Sequence, residues 1–117
     1  MRALALLALL LPATAFAQEF DLRDSDQRIT PEALAMRLSG HTLTFYDDGQ
    51  AEFYTDGRYT YTYADNGGTA YGYWSLSDAG TVCIAFVNGF SRCDLYVRDG
   101  DRLVMLDAKG ARYPVRP

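Results

Sequence analysis

Seven turn signals, each carrying glycine, cut residues 41–117 into eight short segments. The glycines are Gly49, Gly57, Gly67 with Gly68, Gly80, Gly89, Gly100 and Gly110. The segments between them are rich in Tyr, Thr, Val, Phe and Leu, residues that suit a pleated, half-buried surface. Loops 47–49, 55–57, 78–80, 98–100 and 108–110 each end in glycine. That is the left-handed last position of a three-residue hairpin loop. Asn66-Gly67 matches a two-residue turn instead. The pattern predicts an all-β domain, an eight-stranded antiparallel meander closed as an up-and-down barrel or folded as a two-layer sandwich.

Loop type sets register, and register sets which side chains share a face. A loop at 47–49 puts Phe45 opposite Ala51 and Leu43 opposite Phe53. A loop at 55–57 puts Phe53 opposite Tyr59 and Ala51 opposite Tyr61. A turn at 66–67 puts Tyr61 opposite Gly72 and Tyr59 opposite Trp74. A loop at 78–80 puts Trp74 opposite Ile84 and Leu76 opposite Val82. One apolar face then runs through five strands, from Leu43 through Tyr59, Tyr61 and Tyr63 to Phe86.

Cys83 and Cys93 flank the Asn88-Gly89 signal. In an exported chain they predict one intramolecular disulfide. A two-residue turn puts Cys93, Leu95 and Val97 on the core face and leaves Cys83 outside. A three-residue loop at 87–89 sets Cys83 directly opposite Cys93 and turns Arg92 and Asp94 inward, where they would form a buried polar pair. The disulfide favours the second register, with a β-bulge near residues 90–92 expected to reconcile it with the apolar pattern.

Residues 1–17 read as a secretory signal peptide: basic Arg2, an apolar run at 3–11, and a small-x-small site ending at Ala17. The run is too short to span a bilayer, which takes about 20 residues. Cleavage near Ala17 implies a periplasmic or secreted protein without stable membrane insertion. Residues 18–30 read as a polar arm, and residues 31–117 as a single β domain with an N-terminal helix at 31–39. Thr30 is its N-cap, Pro31 its first residue, and Ser39-Gly40 its end. Loss of Arg2 leaves ten cations against fifteen acids, a net charge of −5. That excludes nucleic acid as a partner sought through charge and suits a basic envelope or secreted protein.

No catalytic constellation stands out. His41 is the only histidine, and no Gly-x-Ser-x-Gly elbow supplies a nucleophile for it. Asp24-Ser25-Asp26 and Asp99-Gly100-Asp101 lack the spacing and closing Glu of a calcium loop. They read as a solvated arm and a turn. No metal and no cofactor is expected, since no nucleotide motif occurs. Tyr46, Tyr54, Tyr71 and Tyr73 fall on the face opposite the core, and with Arg58 they form a candidate binding wall for a sugar, peptide or protein.

The stretch GYWSLSDAGTVCIAFVNGFSRCDLYV resembles small exported proteobacterial β proteins of unknown function, which carry a Gly-x-Trp strand followed by two cysteines. The resemblance covers residues 31–117 loosely and implies no catalytic residue. Some such chains bear the label dihydrodipicolinate reductase, an activity that would need a nucleotide site. Periplasmic lysozyme inhibitors are similar in size, acidity and architecture, although their Tyr-x-Cys strand is missing here. The expectation is a non-enzymatic exported binding module. The alternatives are a small periplasmic hydrolase using His41 and an inhibitor of a basic enzyme such as lysozyme.

Overall fold

The structure, a computed structural model, describes residues 19–117, so the signal-peptide segment lies outside the described residues. The elements are β1 (Asp26–Arg28), α1 (Pro31–Leu38), β2 (His41–Thr44), β3 (Gln50–Phe53), β4 (Arg58–Thr62), β5 (Thr69–Leu76), β6 (Thr81–Phe86), β7 (Ser91–Asp99), β8 (Arg102–Leu106) and β9 (Arg112–Pro114). Strands β2 to β9 pair in sequence order, each antiparallel to the next. This is the expected all-β meander, shaped as a curled half-barrel. Its two edges touch at one place. Phe45 bridges Val115, and the Arg116 N–H donates to the Thr44 carbonyl at 2.8 Å.

Helix α1 begins where Thr30 Oγ1 accepts from the Ala33 N–H at 3.2 Å, with Pro31 in the first turn. Leu34 and Leu38 lie one turn apart and are fully buried in the main core. That core fills the concave side of the curl. Phe53 lies at its centre, with Tyr59 and Trp74 edge-on at 5.2 and 5.4 Å. The Trp74 indole N–H donates to the Tyr54 carbonyl at 2.9 Å, so its one polar group is satisfied.

The loops at 55–57 and 78–80 give the predicted pairings, Phe53 with Tyr59 and Trp74 with Ile84. Two other registers shift by two residues. In the β2–β3 ladder Leu43, not Phe45, faces Ala51, and His41, not Leu43, faces Phe53. The left-handed residue of that loop is Asp48 (φ 69°), one place before the expected Gly49. In the β4–β5 turn Asp65 and Asn66 hold the positive φ values, 57° and 60°, so the turn lies one residue early. Tyr59, rather than Tyr61, then lies across from Gly72. Aspartate and asparagine tolerate this region well enough to displace a neighbouring glycine from it. These two shifts are even, so the faces predicted for β2 to β6 survive. The loop expected at 98–100 is instead a two-residue turn of Gly100 and Asp101, with Asp99 facing Arg102, an odd shift of three.

Cys83 pairs directly with Cys93, bonded across a Cα separation of 4.0 Å. No bulge follows: the β6–β7 and β7–β8 ladders stay in step through Leu95. Alternation is kept by another device. Leu95, Val97, Val104 and Leu106 form a second buried cluster on the convex side, with Phe20 packed against it. The polar arm is therefore a cover for this cluster. Its strand β1 pairs with β7 beyond the reach of β6, Arg28 facing Val97 and Asp26 facing Asp99. Asp26, read from the sequence as part of a solvated arm, has a side chain with 0 % exposure. Its carboxylate accepts two bonds from Arg112, at 2.7 and 2.8 Å, and one from the Arg23 N–H at 2.8 Å.

Two outcomes test this fold. The Arg112 fork holds the Asp26 carboxyl down to about 2, well below its usual range. A depressed folded-state pKa gives stability that is complete above the unfolded value, about 4, and is lost as pH falls toward 2. The stability difference between the parent and Asp26→Asn should therefore shrink between pH 4 and 2, read from urea midpoints. A difference independent of pH would disconnect the latch from Asp26. Replacing both cysteines by Ala should lower the unfolding free energy by about 3 kcal/mol, the scale for a short closed loop. Equal stability of parent and variant would show that the turn alone sets this register.

Candidate functional site

The concave side of the curl is not filled throughout. Toward the end bearing the β4–β5, β6–β7 and β8–β9 turns it opens into a cavity of about 180 Å³. Strand β4 supplies Tyr59, Tyr61 and, just past its end, Tyr63; β6 supplies Phe86, and Tyr113 comes from β9. Tyr61 stacks edge-on against Tyr63 at 4.9 Å and lies 6.3 Å from Phe45. Gly49 makes this arrangement possible. A Cβ there would overlap the Tyr61 hydroxyl, so glycine serves close approach here and not positive φ.

The cavity's charged wall comes from β7. Arg92 and Asp94 lie two apart, hence on one face, opposite Ile84 and Val82. Arg92 Nε and an Nη each donate to Asp94, both at 2.8 Å, in a bidentate pair. The Asp94 side chain is 7 % exposed and that of Arg92 43 %. Asp47, on the β2–β3 loop, completes the acidic side of the mouth. Burial pushes the Tyr59, Tyr61 and Tyr96 phenols up, and Asp47 adds to the effect at Tyr61. All three stay protonated donors at neutral pH. The cup thus offers aromatic faces, phenolic hydroxyls and one oriented ion pair. Its lining residues include no Ser, Cys or His.

The structure brings together four of the five predicted wall residues. Arg58 faces Tyr73 across the β4–β5 ladder, and Tyr71 faces Thr60. The Arg58 guanidinium lies 5.0 Å from the Tyr54 ring centre, and the Tyr54 hydroxyl donates to Glu52 at 2.5 Å. Tyr71 and Tyr73 are 58 % and 59 % exposed, and exposed Val87 adjoins them through its N–H bond to the Tyr71 carbonyl. Tyr46 lies apart, with the Arg102 and Arg116 guanidiniums 6.0 and 5.5 Å from its ring centre. His41 is exposed, and its Nδ1 lies 3.0 Å from the Ser39 carbonyl oxygen. A carbonyl only accepts, so Nδ1 carries a proton there.

Sequence reasoning counted Tyr59, Tyr61 and Tyr63 as core: Tyr59 is buried in it and Tyr61 packs against it, but Tyr63 is exposed, and Asp47 and Tyr113 were missed. The available signal was the phenol: three tyrosines in alternation bring three hydroxyls to one face, more than a dry core accommodates. Among the described residues no helix is long and apolar enough to cross a membrane, and no group of three or more His, Cys, Asp or Glu side chains is placed to hold a metal ion. Comparison with family models, curated proteins and solved structures finds no match to this chain.

The Gly49–Tyr61 contact generates a direct test. Gly49→Ala should displace the Tyr61 ring and cost about 1–3 kcal/mol, the range for overpacking. Gly57→Ala, which has open space around its Cβ but a φ of 94° that strains alanine, should cost stability while leaving the Tyr61 ring resonances in place. Unchanged Tyr61 resonances in Gly49→Ala would refute the contact.

Proposed function

We propose that the protein is an exported, non-enzymatic binding module that takes its ligand in the tyrosine cup. The observation that carries this is the Arg92–Asp94 pair, set inside an aromatic cavity. Of the pair, Asp94 is withdrawn from water while Arg92 keeps much of its hydration; burying the carboxylate costs free energy that the fork must offset, and an apolar replacement of similar volume is often more stable. A small domain that keeps such a pair among aromatic rings has the make-up of a binding pocket: apolar walls with a few oriented polar groups. A cavity of about 180 Å³ suits one ring. A single sugar residue fits the chemistry, with ring faces against the tyrosines and hydroxyls against Arg92 and Asp94.

A second reading has its own observation. Tyr71, Tyr73 and Val87 form an exposed apolar strip on the convex side, of the kind that receives a protein partner. A basic envelope or secreted protein, lysozyme included, belongs to this reading. The His41 hydrolase has less support, since His41 does not line the cup.

One titration separates these readings. Amide spectra of ¹⁵N-labelled protein should respond to at least one of a set of monosaccharides and single-ring amines and acids at millimolar concentration. The shifts should cluster at Tyr61, Tyr63, Arg92 and Tyr113 and vanish in Asp94→Asn. Added lysozyme should instead move Tyr71 and Tyr73 if the convex strip is the site. A set of compounds that leaves the cup amides unmoved rejects the cup.

A further inference from the structure

A second concavity lies beside the β7–β8 turn, α1 and the seam where Phe45 meets Val115. It has a volume of about 710 Å³. Arg28, Arg37, Arg98, Arg102 and Arg116 all line it, and Asp101 is the only acidic side chain that does. Residues 19–117 hold ten basic and fifteen acidic side chains. Half the cations of a net acidic domain therefore converge on one groove with a single acid. Among the described residues only Arg116 of the five is ion-paired, to Asp48 at 2.7 Å.

Five like charges repel, and a solvated surface would disperse them. Here they come from separate parts of the chain: β1, α1, the β7–β8 hairpin and the segment after β9. Two are also held in position. Arg102 and Arg116 both lie by the Tyr46 ring, at 6.0 and 5.5 Å from its centre, and Arg116 donates to the Tyr46 carbonyl at 3.3 Å. Such cation–π contacts limit the freedom of two long side chains and reduce what a ligand must order. The guanidinium fork matches carboxylate and phosphate oxygens two at a time.

We propose that this groove binds a compact, multiply charged oxyanion, a ligand bearing several phosphate or carboxylate groups. The volume exceeds what one phosphate needs, and one acceptor cannot engage guanidiniums on four elements at once. The site is separate from the tyrosine cup, and the two share no lining residue.

Calorimetric titration of the purified protein with inorganic tripolyphosphate and with citrate, at low salt, tests this. At least one anion should bind at a single site, more weakly as salt rises. Arg98→Gln and Arg102→Gln should each weaken it about tenfold, the scale of one lost charge-assisted fork. Tyr46→Ala should weaken it several-fold through Arg102 and Arg116. Lys109→Gln, which removes one charge outside the groove, and Asp94→Asn in the cup should leave it unchanged, with amide spectra confirming that each variant is folded. Binding of tripolyphosphate alone identifies a phosphate ligand, and of citrate alone a carboxylate ligand. Binding of neither overturns the proposal, as does an equal loss in Lys109→Gln and Arg98→Gln.

Discussion

Cys83 stands directly across from Cys93, and side chains alternate between faces with a period of two. Together these place Arg92, Asp94 and Tyr96 on the concave side of β7, and Cys93, Leu95 and Val97 on the convex side. A shift of one residue would reverse every one of them. That reversed register has an energetic attraction. It would return the buried Asp94 carboxylate to water and let Leu95 and Val97 join the main core without needing the arm as cover. The disulfide joins residues that only the observed register sets face to face. The polar cup follows from that constraint.

The same constraint creates an apolar strip where solvent would otherwise be. Leu95, Val97, Val104 and Leu106 are buried on the convex side because the arm lies over them. β7 runs past the end of β6, and β1 takes up the backbone positions left open there. Phe20 adds cover. The Asp26–Arg112 fork then ties the arm to β9. Each part requires the one before it. Without the cover, strands β7 and β8 would expose a two-strand hydrophobic face.

Legibility from sequence follows the turn chemistry. At 55–57 and 78–80 the left-handed residue is the glycine (Gly57 at φ 94°, Gly80 at 82°), and the registers read from those loops are correct. At 47–49 and 65–68 several residues in a row accept positive φ, and the glycine rule picks the wrong one. Gly49 is needed for a contact with Tyr61 that lies across the sheet, which no local pattern reports. The inward turn of Arg92 and Asp94 was legible, because it follows from the disulfide. The arm's role was not, since Phe20 and Asp26 meet partners some 80 residues away in sequence. The arginine groove was invisible for the same reason: its five guanidiniums are scattered from residue 28 to residue 116.

Net charge is a poor guide to partner chemistry here because of what the acids are doing. Asp47 accepts from the Gly49 N–H, Asp56 from the Arg58 N–H, and Asp107 from the Lys109 and Ala111 N–H groups. These carboxylates satisfy turn backbone that would otherwise need water, and their charge is spread around the ends of the curl. The cations are distributed differently, five of the ten in residues 19–117 lining one groove. At physiological salt the screening length is about 8 Å, so a ligand entering the groove senses the guanidiniums beside it more than the distant turn carboxylates. A net charge of −4 for the chain therefore coexists with a locally cationic concavity. An argument from total charge to a basic partner holds only for surfaces away from that groove. The tyrosine cup, with its own pair internally neutralised, lies outside both rules, and its lining offers ring faces and hydrogen-bonding groups rather than net charge.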